Sequence, residues 1–276
     1  MRIAEILKTK TLANSTTPRL DLELLLEVIL HKPRSFLYAN PEYALTSEQK
    51  EKFEALYRRR LHGEPLAYIL GKKEFWSLEL AVNNKVLIPR SETELLVEII
   101  LSNLNREVAN IADLGTGSGA IALALAYERP KWNIVATDIS EDALQVARYN
   151  AMQLQISNVE FCRGDWCEIL SNKKFDVIVS NPPYVEKNDL HLQQGDVRFE
   201  PKIALEACDG FDAIKTVIMQ AKNRLTSDGL LVLEHGYDQS SAVQELLLQN
   251  GYQKITPHKD LAGIYRAVVA KNGENE

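Results

Sequence analysis

A glycine-rich turn, Asp113-Leu114-Gly115-Thr116-Gly117-Ser118-Gly119, lies between an apolar stretch and a helix-forming run at 120–127. The apolar stretch predicts a strand at 108–113, and the run after the turn predicts a helix from about residue 119. Glycines at such a turn let backbone N–H groups approach a ligand, and the N-terminus of the helix favours an anionic or electron-rich group. The sequence therefore predicts a strand–turn–helix unit with a ligand at its edge.

Strands and helices alternate downstream of this turn. Predicted strands lie at 133–137, 158–162, 175–180, 229–234, 252–257 and 263–270, and predicted helices lie at 141–154, 211–225 and 239–250. The alternation predicts an α/β fold with a mostly parallel seven-stranded sheet and helices on both faces. A sheet of this kind binds its ligands at the carboxyl ends of the strands.

Side chains suited to an adenosine-bearing cofactor follow two of these strands. Asp138 can accept hydrogen bonds from both ribose hydroxyls, Asp165 can accept one from the adenine amine, and Trp166 can flank the ring. The glycine spacing departs from the dinucleotide pattern, and Asp113 would repel a pyrophosphate but suit a cationic or amino-bearing cofactor. The predicted cofactor-binding residues are Asp113, Leu114, Gly115, Thr116, Gly117, Asp138, Asp165, Trp166 and Asn181.

The strand predicted at 175–180 is stopped by Asn181-Pro182-Pro183-Tyr184. Each proline fixes its own φ and has no N–H, so the carbonyl groups of this turn lack local donors. The Asn181 side-chain oxygen and the Pro182 carbonyl can each accept one hydrogen of a planar –NH2 group, and Tyr184 can pack against whatever carries it. The motif therefore predicts a socket for an amino group, with a proline-rich turn capped by Asn181 as the purely structural alternative.

The first 73 residues are predicted to form a helical bundle. A leucine-rich run at 18–30 has Pro18 in its first turn, and Thr46-Ser47-Glu48-Gln49 has the pattern of a capped helix start. Arg58-Arg59-Arg60 forms the basic end of that second helix. The simpler interpretation is that these arginines complement the helix dipole, and the alternative is that they bind a partner.

A β-hairpin linker is predicted between the bundle and the rest of the chain, over residues 74–90. Apolar runs at 75–82 and 85–88 flank Asn83-Asn84, a pair that suits a tight turn. A helix capped by Ser91, with Glu94 completing a capping box, is predicted to follow. The second domain is therefore predicted to span residues 91–276.

Composition and charge exclude several classes of protein. The 276 residues are 45% hydrophobic and carry a net charge of −6; residues 1–80 hold 13 Lys and Arg against 11 Asp and Glu, and the remainder hold 19 against 27. An acidic larger part argues against a long nucleic-acid track. There is neither an apolar run of membrane-spanning length nor a secretory signal pattern, which predicts a cytoplasmic protein. Three cysteines without zinc spacing predict reduced thiols and no metal.

The motifs resemble those of class I S-adenosylmethionine-dependent methyltransferases, and within them the protein-glutamine methyltransferases that modify peptide-chain release factors. The resemblance covers essentially the whole chain. Besides the glycine-rich turn and the Asn181–Tyr184 motif, it rests on PRLDLELLL from residue 18, GEPLAYILGKKEFW from 63, IPRSETELLV from 88, RFEPKIAL at 198–205 and LEHGYDQ at 233–239. It implies a Rossmann-like methyltransferase domain that binds S-adenosylmethionine, and an N-terminal bundle that recognises the release factor.

The resemblance also implies the reaction, which is methyl transfer to the amide nitrogen of the glutamine in a Gly-Gly-Gln tip. Catalytic residues would be Asn181, Pro182 and Tyr184, and Pro183 would join them in holding the substrate. Two acceptors on the –NH2 group would favour a pyramidal nitrogen and aim its lone pair at the methyl carbon, so that no strong base is needed. His191 and His235 are therefore interpreted as loop and strand-end residues.

Other functions stay open on the sequence alone. An adenine methyltransferase of nucleic acid would use the same socket for a flipped base. A glutamine methyltransferase of a ribosomal large-subunit protein and a regulator that binds the cofactor without catalysis are further alternatives. Arg198 and Glu200 lie in a loop-like segment, 185–210, that is hypothesised to order over the substrate. The expected protein is a monomer that binds no membrane and no nucleic acid directly.

Overall fold

A computed structural model describes residues 1–170 and 173–273 of the chain. Within these residues the helices are α1 (Ile3–Thr9), α2 (Pro18–Leu30), α3 (Arg34–Ala39), α4 (Ser47–Leu61), α5 (Leu66–Leu70), α6 (Glu94–Asn103), α7 (Ala120–Glu128), α8 (Glu141–Gln153), α9 (Asp212–Lys222) and α10 (Ser240–Gln249). The strands are β1 (Lys72–Phe75), β2 (Leu78–Ala81), β3 (Asn110–Leu114), β4 (Asn133–Asp138), β5 (Val159–Arg163), β6 (Phe175–Ser180), β7 (Val185–Glu186), β8 (Glu206–Ala207), β9 (Leu225–Glu234), β10 (Tyr252–Lys259) and β11 (Tyr265–Asn272). Contacts divide the chain into one unit of Met1–Lys72 with Gln193–Phe199, and another of Lys73–Leu192 with Glu200–Glu276.

The first unit is helical, as its leucine-rich sequence predicts. Helix α2 begins at Pro18, whose missing N–H would have had no partner inside the helix. Leu22 and Leu25 of this helix are buried in the core of the unit, where Phe53 of α4 is also fully buried. The predicted start of α4 is confirmed, because Thr46 Oγ1 accepts the N–H of residue 49 and the side chain of that glutamine accepts the Thr46 N–H.

Ion pairs within this unit occupy two of the arginines in the last turn of α4. Two N–H groups of the Arg59 guanidinium donate to the two carboxylate oxygens of Glu64. Arg60 is buried, and its guanidinium donates to Asp21 Oδ2 at 2.7 Å and to Asp196 Oδ1 at 3.1 Å. Specific pairing therefore adds to the helix-dipole effect that the sequence suggested.

The second unit contains the seven-stranded sheet that the sequence predicts. Its strand order is β10-β11-β9-β6-β3-β4-β5. Strands β9, β6, β3, β4 and β5 run parallel, and β11 is antiparallel to both of its neighbours. The predicted Rossmann-like α/β fold is confirmed. The carboxyl ends of β3, β4, β5 and β6 consequently meet at one edge.

Strand β9 begins earlier than the sequence predicts, at Leu225 instead of residue 229. Its pairing with β6 continues through an irregularity between Phe175 and Val177. A Cβ at Gly229 would lie only 3.0 Å from the Phe175 carbonyl oxygen, so this glycine permits a close backbone approach. Gly229 therefore marks an irregularity within the strand and not the start of it.

The hairpin near residue 80 differs from its prediction. Strands β1 and β2 pair across Trp76 and Ser77, and the predicted arm at 85–88 is not a strand. Trp76 and Ser77 have positive φ values of 52° and 58°. Tight turns with this geometry favour Asn and Gly, so the sequence does not predict a turn at these two residues. The turn is held from outside, because the Trp76 N–H donates to Glu94 and its indole N–H donates to Glu128, each at 2.8 Å. The Asn83 side chain instead accepts the Lys85 N–H in a local turn.

The predicted cap of α6 is also wrong. Ser91 opens a short 3₁₀ turn, Ser91–Thr93, and α6 begins at Glu94 without a side-chain cap. The Ser91 hydroxyl donates to Glu92, and the Glu94 carboxylate is taken by the backbone of the hairpin turn. A long-range contact thus replaces the local capping box.

None of the helices in residues 1–170 and 173–273 is long and apolar enough to span a membrane. The cysteines, Cys162, Cys167 and Cys208, are free thiols. No cluster of three or more His, Cys, Asp or Glu side chains is placed to hold a metal ion in the described part of the chain.

Candidate active site

A cavity of about 300 Å³ opens at the carboxyl edge of the parallel strands. A volume of this order suits a small organic ligand. Of the residues predicted from sequence, those that line the cavity are Gly115, Gly117, Asp138, Asp165, Trp166, Asn181 and Pro183. Four of the strand ends therefore contribute to one cavity, as the parallel topology predicts.

The glycine-rich turn forms one wall of this cavity. Gly115 and Gly117 have φ of 70° and 58°, a conformation that favours glycine. A Cβ at Gly115 would lie 3.4 Å from the Trp166 ring, so the bare backbone leaves room for the indole. The Thr116 N–H donates to the Thr137 carbonyl, which ties the turn to the neighbouring strand β4.

Asp113 lies behind the turn and does not line the cavity. Its Oδ2 accepts the Thr116 hydroxyl at 2.6 Å and the Ala122 N–H at 3.2 Å. Its Oδ1 is buried without a hydrogen-bond partner, and burial raises the pKa of the carboxyl to about 7. Leu114 and Thr116 are likewise buried behind the wall. These three residues shape the turn from within the protein.

Asp138 reaches the cavity and also holds the turn in place. Its Oδ2 accepts the Gly117 N–H and its Oδ1 accepts the Ser140 N–H, both at 2.9 Å. Burial raises the pKa of this carboxyl, while the two backbone donors act in the opposite direction. Each carboxylate oxygen keeps a further lone pair, so Asp138 can still accept hydrogen bonds from a ligand.

The Asn181 side chain lines the cavity with a defined orientation. Its Nδ2 donates to the buried Thr93 hydroxyl oxygen at 3.2 Å. Because the nitrogen end of the amide is engaged there, the oxygen end is the one left to accept a hydrogen bond from a ligand. The Ser180 hydroxyl, one residue earlier, donates to the Leu114 carbonyl at 2.7 Å and fixes the end of β6 against β3.

The rest of the motif is divided between the cavity and the interior. Pro183 lines the cavity, whereas Pro182 is buried. Tyr184 does not line it; its hydroxyl donates to Glu234 Oε1 at 3.1 Å, and its carbonyl accepts from Gln239 Nε2 at 3.2 Å. Burial is the main reason that the pKa of the tyrosine is raised.

The segment at 185–210 is more ordered than its sequence predicts. Strands β7 and β8 pair in parallel, and the Val185 N–H donates to the Leu205 carbonyl at 3.0 Å. Strand β7 directly follows the Asn181–Tyr184 motif, and β8 brings the far end of the segment back beside it. On its return, this segment lines the cavity with Pro201, Ile203, Ala204 and Glu206. The sequence predicts order over a substrate for the segment as a whole, but it points to Arg198 and Glu200 and not to these four residues.

Arg198 and Glu200, which were hypothesised to cover a substrate, do not line the cavity. Glu200 is buried in the second unit, where its carboxylate accepts the Ile88 N–H at 3.2 Å and an Arg90 N–H at 2.5 Å. Arg198 belongs to the first unit and donates to the His62 carbonyl at 2.9 Å. Both therefore hold the backbone of the segment.

His191 and His235, which the sequence does not favour as catalytic bases, make contacts outside the cavity. His191 is exposed, and its ring is 2.7 Å from Asp189. His235 is buried, its Nδ1 is 2.8 Å from the Gly236 carbonyl, and burial lowers its pKa. Neither lines the cavity.

Comparison with known proteins gives full-length relatives. Residues 91–198 match the family described as methyltransferase small domain, and residues 8–71 match the PrmC N-terminal domain. A release factor glutamine methyltransferase of Coxiella burnetii is 54% identical over 261 residues, 94% of each chain. One of Pseudomonas aeruginosa is 48% identical over 270 residues, 98% of each.

A solved structure shares the fold at low sequence identity. The hMettl16 catalytic domain, in complex with the MAT2A 3'UTR hairpin 6, has a TM-score of 0.60. The alignment covers 80% of this chain and 83% of that chain at 18% identity, which shows the fold alone.

Proposed function

Because the chain belongs to the release factor glutamine methyltransferase family, we propose that it methylates the glutamine of the Gly-Gly-Gln motif in peptide-chain release factors. The methyl group would come from S-adenosylmethionine and go to the side-chain amide nitrogen. The observation that carries the proposal is the orientation of Asn181, whose amide oxygen is left for a donor in the cavity.

The cavity residues fit S-adenosylmethionine as the methyl donor. Gly115 and Gly117 offer bare backbone, Asp138 has lone pairs for ribose hydroxyls, and Trp166 and Asp165 would give an adenine ring a flat surface and a hydrogen-bond acceptor. When bound, this cofactor supplies an electrophilic methyl carbon on a sulfonium sulfur. Asp113 holds the turn from behind through its bonds to the Thr116 hydroxyl and the Ala122 N–H.

The substrate amide nitrogen is a poor nucleophile, because its lone pair is delocalised into the carbonyl. The Asn181 side-chain oxygen, which faces the cavity, would accept one of its hydrogens, and the carbonyl of the buried Pro182 is the proposed acceptor of the other. Both bonds favour a pyramidal nitrogen with its lone pair directed at the methyl carbon, so positioning supplies most of the rate. The nitrogen becomes strongly acidic once methylated and can lose a proton without a dedicated base. Tyr184 would act from behind, by holding the motif in place.

The experiment that tests the proposal is mass spectrometry of candidate substrates after incubation with isotope-labelled S-adenosylmethionine. We expect one methyl group on the motif glutamine of a release factor, and none on a release factor whose motif glutamine is replaced by alanine. Methylation of a ribosomal large-subunit protein or of nucleic acid, with none on the release factor, would contradict the proposal.

We expect Asp138→Ala to weaken S-adenosylmethionine binding by about 1–3 kcal/mol, because charge-assisted bonds to the ribose would be lost. The loss of the Gly117 N–H acceptor would add to this by loosening the turn. Titration calorimetry measures the change. Glu141→Ala is the matched control, since Glu141 is an acidic residue at the start of α8 that pairs only with Arg148 among the described contacts. Unchanged affinity in Asp138→Ala would remove this residue from the cofactor site.

The domain division remains a prediction, with residues 1–73 proposed to recognise the release factor. A fragment of residues 73–276 is expected to bind S-adenosylmethionine as the full chain does but to bind release factor at least tenfold more weakly, a loss of about 1.4 kcal/mol. The fragment is chosen to include β2, because the Asn150 side chain of α8 bonds to the backbone N–H and carbonyl of Ala81 in that strand. Cofactor titration and release-factor pull-down with the two proteins measure this. Equal methylation of a whole release factor by both would assign recognition elsewhere.

We also propose a cytoplasmic monomer without direct nucleic-acid binding. The acidic larger part of the chain supports this proposal, because phosphate contacts need clustered positive charge. Sedimentation of the full chain, with and without RNA, tests it.

A further inference from the structure

A buried carboxylate, Glu234, is linked to the Asn181–Tyr184 motif through Tyr184 and Thr93. Glu234, at the end of β9, is only 2% exposed, and its Oε1 accepts the Tyr184 hydroxyl. Its Oε2 is buried and has no hydrogen-bond partner. Thr93, which accepts the Asn181 amide N–H, is 5% exposed and stands beside this carboxylate. One buried acid is thus hydrogen-bonded to Tyr184 and lies beside the threonine that accepts from Asn181.

Several groups act on this carboxylate. The charged and titratable side chains around it are Tyr184, Arg266, Glu92, His235 and Arg90. Burial raises the pKa of Glu234 to about 7, and the charge on Glu92 acts in the same direction. The hydroxyls of Thr93 and Tyr184 and the charge on Arg266 favour the ionised form.

We propose that Glu234 is a positioning residue that sets which end of the Asn181 side-chain amide faces the cavity. The inference rests on the proposed function, in which the Asn181 oxygen accepts from the substrate. An ionised Glu234 attracts the hydroxyl proton of Thr93, since a carboxylate is an acceptor only. Thr93 Oγ1 then presents lone pairs to Asn181, so the amide must turn its nitrogen to Thr93 and its oxygen to the cavity.

The neutral form of Glu234 removes this constraint. With the negative charge gone, the Thr93 hydroxyl can donate to the oxygen of Asn181 instead, and the amide turns around. Its –NH2 end then faces the substrate –NH2, where donor meets donor and no hydrogen bond forms. Because the folded-state pKa is raised, the ionised and productive form dominates above about pH 7 and is lost as the pH falls through that value.

Glu234→Gln tests the inference, because it keeps the shape of the side chain and removes its titration. At saturating cofactor, parent turnover is expected to rise with a midpoint near pH 7. In the variant this rise should be absent, and turnover above the midpoint should fall about tenfold, with cofactor affinity unchanged. Glu92→Gln, the same chemical change at an exposed position, should keep the pH rise. A rise that persists in Glu234→Gln overturns the inference.

Tyr184→Phe gives a second test that does not depend on the folding of Glu234→Gln. In the parent, the Tyr184 hydroxyl stabilises the ionised form of Glu234. Its removal should therefore raise the midpoint of the pH dependence of turnover by about one pH unit. An unchanged or lower midpoint overturns the inference.

A readout without substrate separates the inference from the proposed function. The Asn181 side-chain amide signal in ¹H–¹⁵N spectra, assigned with Asn181→Asp, should titrate near pH 7 in the parent and not in Glu234→Gln. An Asn181 signal that does not titrate in the parent overturns the inference. A titrating signal in a protein that never methylates a release factor would support the positioning role and overturn the proposed function.

Discussion

Asn181→Ala is expected to reduce turnover roughly 100-fold or more, with cofactor affinity and stability nearly unchanged. The substitution removes the acceptor that orients the substrate nitrogen and strengthens its bond as the reaction proceeds. Stability should change little, because among the described residues the Asn181 side chain bonds only to Thr93. Labelled methyl transfer to a release factor at saturating cofactor measures the effect.

The exposed Asn105 provides a matched control, since Asn105→Ala makes the same chemical change away from the cavity. That variant should turn over as the parent does. Turnover of Asn181→Ala within about threefold of the parent would correspond to a barrier change under about 1 kcal/mol. That result would contradict the hypothesis that Asn181 binds the substrate amino group.

Asn181→Asp separates acceptance of hydrogen bonds from charge. A carboxylate still accepts from the substrate, but it places a negative charge beside the cationic cofactor. It would stabilise the ground state more than the transition state, in which the positive charge is dispersed. Cofactor should therefore bind at least as well while turnover falls, as single-turnover measurements with bound cofactor would show.

The second large effect is expected for the buried ion pair of the helical unit. Arg60→Met should lower the local stability of α2 and α4 by about 3–5 kcal/mol, because it leaves the Asp21 carboxylate buried without its cation. The two side chains are 7% and 4% exposed and are joined at 2.7 Å. Hydrogen exchange of backbone amides in α2 and α4 of the full chain measures the change.

Two controls test the physical reason. The double variant Arg60→Met with Asp21→Leu should recover most of the loss, because a buried ion pair is replaced by apolar side chains. Lys52→Met breaks the exposed pair with Glu48 on the same helix and should cost at most about 1 kcal/mol. A single Arg60→Met variant as stable as the parent would show that Asp21 is solvated in solution.

The sequence alone determined the fold class, because strand and helix periodicities are local and each element carries its own pattern. It also determined that the glycine-rich turn, Asp138, Trp166 and Asn181 share one edge. That conclusion needs no distances, since parallel strands bring their carboxyl ends together. The start of α4 was predictable for the same reason, as the capping residues Thr46 and Gln49 are three positions apart.

The tertiary structure alone decided what stands behind and around that edge. Thr93 is 88 residues from Asn181, and Glu234 is 50 residues from Tyr184. The hairpin turn at Trp76 is held by a carboxylate 52 residues away, where the local sequence favoured Asn83-Asn84. Hydrogen bonds between residues so far apart leave no periodicity or spacing in the chain. Their strength comes from burial and from the exclusion of water, which only the assembled fold provides.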